Sequence, residues 1–173
     1  GYPTENNGRR LVFFDGAMEV LQPAIDDGTL NVVSGQTEIA QTATEGWLAE
    51  NAQNRMDTLL TGSYGGDVVL DGVLSPNDTL ARAILTAAQQ AGKGVPVVTG
   101  QDSEVESVKS IMEGIQYSTI NKDTALLVEQ AIKMVGQLQK GEEAEVNDTE
   151  SYDNGSKVVP SYLLDPVIVT KEN

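Results

Sequence analysis

The chain has 173 residues and 39% apolar content, enough for one domain with a buried core. Its 26 acidic and 11 basic residues leave a formal net charge of -15, a field that repels DNA and anionic membranes, so no nucleic-acid partner is expected. Without cysteine or histidine there can be no disulfides, thiol nucleophiles, Cys/His zinc sites or His-based triads.

No stretch approaches the roughly 20 apolar residues of a membrane-spanning helix, and no signal peptide precedes Gly1; if the protein is exported, its signal was removed or left out of this chain. Leu11, Phe14, Met18, Leu21 and Ile25 repeat at helical spacing, with Pro23 bending the last turn and Asp27-Gly28 ending it. "LNVVSG" (30–35) reads as a strand. Trp47, Leu48, Ala52, Met56, Leu59 and Leu60 predict a second helix, followed by a strand in "DGVLS" (71–75). A third helix is expected from Asn77 to Gly92, with Leu80, Ile84, Ala87 and Ala91 on one face.

"PVV" (96–98) supplies the next strand. Ser103 and Glu106 then form an S-x-x-E capping box for a helix carrying Val105, Val108, Ile111 and Met112. "QYSTI" (116–120) reads as a strand, and Asp123 caps a long helix with Leu127, Ala131, Met134 and Leu138. From Lys140 the chain turns acidic and polar, with Asn154-Gly155 as a hairpin turn. The tail "VVPSYLLDPVIVT" regains apolar character, but its two prolines argue against a long central strand.

Strands alternating with helices over short connections predict an α/β fold of βαβ units, its parallel sheet covered by helices on both faces. Ligands of such sheets bind beyond the carboxyl ends of the strands. Those positions hold Ser34-Gly35-Gln36, Ser75-Pro76-Asn77-Asp78, Gly100-Gln101-Asp102 and Asn121-Lys122-Asp123, and the leading loop adds Glu5, Asn6 and Asn7. Asn both donates and accepts, Asp accepts at two oxygens, and Lys donates, a mixture suited to vicinal hydroxyls. No G-x-G-x-x-G or P-loop is present to cradle a phosphate, and no cofactor is expected. Trp47, the one tryptophan, offers an indole face for a sugar ring.

Each residue also has a structural reading. Trp47 could be core, Asn77 or Asp78 an N-cap, Asp123 a cap, Lys122 a surface lysine, and Glu5 and Asn6 simple loop residues. Asp102 could begin its helix, although Ser103 would already supply the cap.

Several stretches, taken in order, carry a resemblance: "ENNG", "GWLAENAQNRMDTLL", "LSPND", "VVTGQDSEVESVKSI", "STINKDT" and "YDNGSKVVPSYLLDPV". Together they resemble the C-terminal half of solute-binding proteins of bacterial sugar ABC importers, nearest the xylose-binding and multiple-monosaccharide-binding branch. The resemblance implies a type I periplasmic-binding-protein lobe, with two lobes closing on one monosaccharide, an aldopentose or aldohexose. The partner would be a membrane permease, and the location the periplasm, or the outer surface by a lipid anchor in a Gram-positive host. It further implies that Asn7, Trp47, Asn77, Asp102 and Lys122 contact the sugar. Glu5 is a weaker candidate, since it stands where the xylose-binding pattern has a shorter carboxylate.

The expected organisation is a sugar-binding lobe over 1–121, a segment crossing into an N-terminal lobe over 122–164, and a returning tail over 165–173. The chain would then be a fragment whose N-terminal lobe is absent or supplied by another chain, leaving 124–164 without packing partners. The alternative is the effector-binding domain of a LacI-type repressor, which shares the fold. A glycosidase would need a second carboxylate poised near Asp102, and none stands out, so no enzyme is expected.

Overall fold

The computed structural model describes residues 12–173; Glu5, Asn6 and Asn7 lie outside the described residues. The chain divides into two units. One runs to Thr119 and takes in Val169–Asn173, and the other is Ile120–Ile168.

Among the described residues the first element is α1 (Val12–Asp26), the helix that the apolar spacing predicts. Pro23 is accommodated inside it, and the Asp27 N–H still reaches the Pro23 carbonyl at 3.1 Å. Gly28, at φ +80°, turns the chain away in a conformation that suits glycine.

The expected strand over 30–35 does not form. A strand needs a neighbour to receive its hydrogen bonds, whereas here Leu30 N–H bonds back to the Ala24 carbonyl at 2.8 Å. Gly35 N–H closes a turn on Val32, also at 2.8 Å, and Leu30 and Val33 remain exposed.

A short helix α2 (Ile39–Thr42) and a 3₁₀ turn (Glu45–Trp47) lead into α3 (Ala49–Thr61). Trp47 and Leu48 therefore precede the helix that was expected to contain them. Trp47 sits at φ 51° and Leu48 is the extended N-cap residue. Ala52, Met56 and Leu60, four residues apart, form the buried stripe of α3.

Strand β1 (Gly72–Val73), helix α4 (Asp78–Gln90) and strand β2 (Val97–Val98) form a βαβ unit. The strands are parallel, in register Gly72↔Val97 and Val73↔Val98, and shorter than the apolar runs predict. Asn77 caps α4, its side chain accepting from Leu80 N–H at 3.0 Å.

Helix α4 is buried on two sides. Leu80 and Ala83 pack with Ala52 of α3, while Ala81 and Leu85 pack with Val98 of β2. Ala81, Ala87 and Ala88 are fully buried, small enough to let neighbouring backbones approach. Ala91, expected on the buried face, is instead the exposed C-cap residue. Each fully buried side chain of the size of Leu80 or Ile111 contributes roughly 1.5–3 kcal/mol.

Helix α5 (Val105–Glu113) ends at Gly114, in the left-handed conformation. The Ser103–Glu106 capping box does not form, because the N-cap residue is Glu104 and Ser103 lies outside the helix at φ 51°. Glu106 pairs with Lys109 at 2.9 Å instead. Strands β3 (Thr119–Asn121) and β4 (Val167–Val169) pair with each other where the chain leaves the first unit and returns to it.

In the second unit Asp123 caps α6 (Thr124–Gln139), accepting from Ala125 and Leu126 N–H at 2.8 and 3.3 Å. No residue of α6 is buried, and its apolar side chains include Ile132 at 67% exposure. Lys133 and Glu145 form an ion pair that raises the lysine pKa and lowers that of the glutamate. The polar stretch folds back through bridges Asp148↔Ser161 and Asp153↔Val158. Asn154 and Gly155 lie in the turn between the latter pair, with Gly155 at φ +86°.

Candidate functional site

The carboxyl ends of β1 and β2 are tied together beyond their ladder. Thr99 N–H reaches the Val73 carbonyl at 3.3 Å, and Ser75 N–H donates to Thr99 Oγ1 at 3.0 Å. The chain then rises into two polar turns, 75–78 after β1 and 100–104 after β2. A backbone bond joins the turns: Asp78 N–H donates to the Gln101 carbonyl at 2.9 Å. Asn77 precedes the donor and Asp102 follows the acceptor, so these two predicted residues share one edge.

Asn77 spends Oδ1 on the Leu80 amide, which leaves Nδ2 as the end that can donate to a hydroxyl. Asp102 is exposed at φ 96° and is followed by Ser103 at φ 51°. Trp47 is half-buried against the cluster of Ala52, Leu80 and Ala83. Leu80 and Ala83 belong to the first two turns of α4, the helix that Asn77 caps. The Phe13 ring meets Trp47 edge-on, with centroids 5.8 Å apart and planes at 79°.

Trp47, Asp102 and Ser103 are the non-glycine residues with positive φ among the described residues. Such conformations cost of order 1–3 kcal/mol each and persist where the surroundings over-determine them, often at binding sites. Two of the three are predicted ligand residues.

Asp78 has a role that reading the sequence missed. It is fully buried, and its carboxylate accepts from Glu104 N–H, Thr119 Oγ1 and Gln116 Nε2, each at 2.9 Å. Those donors lie up to 41 residues away, so no local pattern announces them. Gln36, another edge residue, has its amide oxygen held by Arg55 at 2.6 Å; burial pushes the Arg55 pKa down.

Glu104 anchors the second turn from the other side. Its carboxylate meets Arg82 at 2.5 Å and accepts from Thr79 Oγ1 at 2.7 Å. Desolvation pushes its pKa up, but the hydrogen bonds from Thr79 and Arg82 and the Arg82 charge together hold it below the ordinary carboxylate value. Lys122 follows β3 and is exposed, but it belongs to the second unit. Among the described residues no cluster of three potential metal ligands occurs, and no helix is long and apolar enough to cross a membrane.

Residues 1–143 match the family described as periplasmic binding protein domain. The chain belongs to that family. Over its whole length it is 50% identical to the multiple sugar-binding periplasmic receptor ChvE of Rhizobium radiobacter, covering 49% of that protein. It is 34% identical to the D-xylose-binding periplasmic protein of Escherichia coli, again over 49% of it.

Among solved structures, a solute-binding protein of an ABC transporter from Clostridium phytofermentans with bound β-D-glucose is 45% identical, with a TM-score of 0.86. That likeness covers 92% of this chain and 50% of the other. A carbohydrate transporter solute-binding protein from Chloroflexus aurantiacus, in complex with D-glucose, is 34% identical with a TM-score of 0.78, covering 94% and 52%. This periplasmic-binding-protein chain thus has the type I fold expected of it and spans about half the length of the curated relatives it matches. None of these relatives is a repressor.

Proposed function

We propose that the chain is the C-terminal lobe of a solute-binding receptor for a carbohydrate ABC importer. In this reading Asp102 accepts hydrogen bonds from neighbouring sugar hydroxyls, Asn77 donates to one, and Trp47 packs on the C–H face of the ring. Asn7, Lys122 and, more weakly, Glu5 add polar contacts. The observation that carries the proposal is the Asp78–Gln101 backbone bond, which brings Asn77 and Asp102 to one sheet edge in a chain 50% identical to a multiple sugar-binding receptor.

The receptor is not an enzyme: it captures a monosaccharide and presents it to a membrane permease outside the cytoplasm, in the periplasm or, under a lipid anchor, on the cell surface. The sugar is held between this lobe and a second one, and contacts from both favour the closed state. The exposed apolar side chains of α6 are in keeping with this, because a second lobe would give them something to pack against.

The test is thermal unfolding of the full-length gene product with D-glucose and D-xylose. A sugar at 100 times its Kd stabilises the protein by about 2.7 kcal/mol. No shift with either of these sugars or with any other aldose overturns the receptor reading.

A further inference from the structure

We propose that Asp78 is a positioning residue for the sugar site: it sets the Asp102 turn and the Asn77 cap without touching the ligand itself. This inference rests on the receptor reading above.

Asp78 is a completely buried carboxylate, which is unfavourable unless it is fully hydrogen-bonded. Its partners come from three separate segments. The Oδ2 atom accepts from Glu104 N–H, the residue that ends the Asp102–Ser103 turn, and from Thr119 Oγ1 at the start of β3. Thr119 Oγ1 in turn accepts from Ser103 N–H at 3.1 Å, so its hydroxyl links the carboxylate to the middle of the same turn. The Oδ1 atom accepts from Gln116 Nε2, which also donates to the Ser118 carbonyl at 3.0 Å. The Asp78 backbone N–H holds Gln101, the residue before Asp102.

The turn 101–104 is thus gripped at Gln101, Ser103 and Glu104 by one side chain, its own amide and one hydroxyl. Asp102 is the residue between these grips, in a left-handed conformation that an L-residue leaves when unrestrained. Asn77 is the immediate neighbour of Asp78, so the same anchor fixes the second predicted contact. A carboxylate suits this position because it accepts at several points and donates at none, as the Glu104 N–H, the Thr119 hydroxyl and the Gln116 amide require. Gly100 leaves room for it: a Cβ there would lie 2.1 Å from Asp78 Oδ1 and 2.6 Å from Gln116 Nε2.

The experiment measures Kd for D-glucose and D-xylose by calorimetry in the full-length gene product, alongside thermal stability and amide NMR shifts of residues 101–104. Thr119→Val removes the bridging hydroxyl at nearly constant shape, Asp78→Asn weakens the acceptor itself, and Leu60→Val, in a different core cluster, is the stability control. The expected result is a loss of about tenfold in affinity for Thr119→Val and Asp78→Asn, with displaced amide shifts at 102–104. Leu60→Val lowers stability and leaves Kd unchanged. Wild-type affinity in Thr119→Val, or an equal affinity loss in Leu60→Val, overturns the positioning role. A wild type that binds neither sugar shows a different failure, overturning the receptor reading and this inference with it.

Discussion

The carboxylate of Asp78 accepts a hydrogen bond from the Thr119 hydroxyl at 2.9 Å, joining residues 41 positions apart. Around that bond gather the N-terminus of α4, the turn after β2 and the start of β3, the elements that bring Asn77 and Asp102 together. Gly100 approaches the same carboxylate so closely that no side chain fits. Gly100→Ala should therefore destabilise the protein by about 1–3 kcal/mol through overpacking, as urea denaturation would measure. An unchanged midpoint would mean that the turn relaxes freely and that the cluster is loosely held.

Acid should weaken the anchor at Glu104. Its carboxyl is held below its ordinary value, so the unfolded chain takes up that proton at higher pH than the folded one. The stability it contributes is complete above the ordinary carboxylate pKa and is lost as pH falls through the depressed folded value. Glu104→Gln should remove this component, so the stability difference between wild type and variant shrinks on acidification. A difference that is constant across that range contradicts the assignment.

The helices should differ in protection. Helix α4 carries seven buried residues, including Leu80, Ala81 and Leu85, while α6 carries none. In the 173-residue chain, amide hydrogen exchange in α6 should be faster than in α4 by orders of magnitude. In the full-length gene product α6 should gain protection. Equal protection of α4 and α6 in the 173-residue chain would count against the reading that α6 needs a further partner.

These contrasts show which parts of the molecule its sequence discloses. Helix α3 is visible in the four-residue spacing of Ala52, Met56 and Leu60, and the caps Asn77 and Asp123 are visible because capping is local. The strand expected over 30–35 failed because its apolar run says nothing about a pairing neighbour. The Ser103–Glu106 box failed for a tertiary reason: Thr119 takes the Ser103 amide, and the backbone there is left-handed. Asp78 read as a helix-start residue because the donors that bury it, Gln116 and Thr119, are distant in sequence. The turns holding Asn77 and Asp102 were legible from topology, whereas the anchor beneath them was not.

Trp47 tests the apolar half of the proposed grip. Trp47→Ala in the full-length gene product should weaken sugar binding by roughly tenfold, the effect of losing about one ring face of apolar contact. Trp47→Phe should recover part of it. Fluorescence-independent calorimetry is the suitable readout, and wild-type affinity in Trp47→Ala would make the indole a core residue only.

The most direct measurement is calorimetric titration of the full-length gene product with D-glucose and D-xylose, in wild type and Asp102→Ala. Saturable binding of at least one sugar by wild type is expected, with a loss of about 100-fold or more in the variant and its fold unchanged by circular dichroism. Wild-type affinity in a folded Asp102→Ala protein, or no binding of either sugar by wild type, would contradict the proposed function.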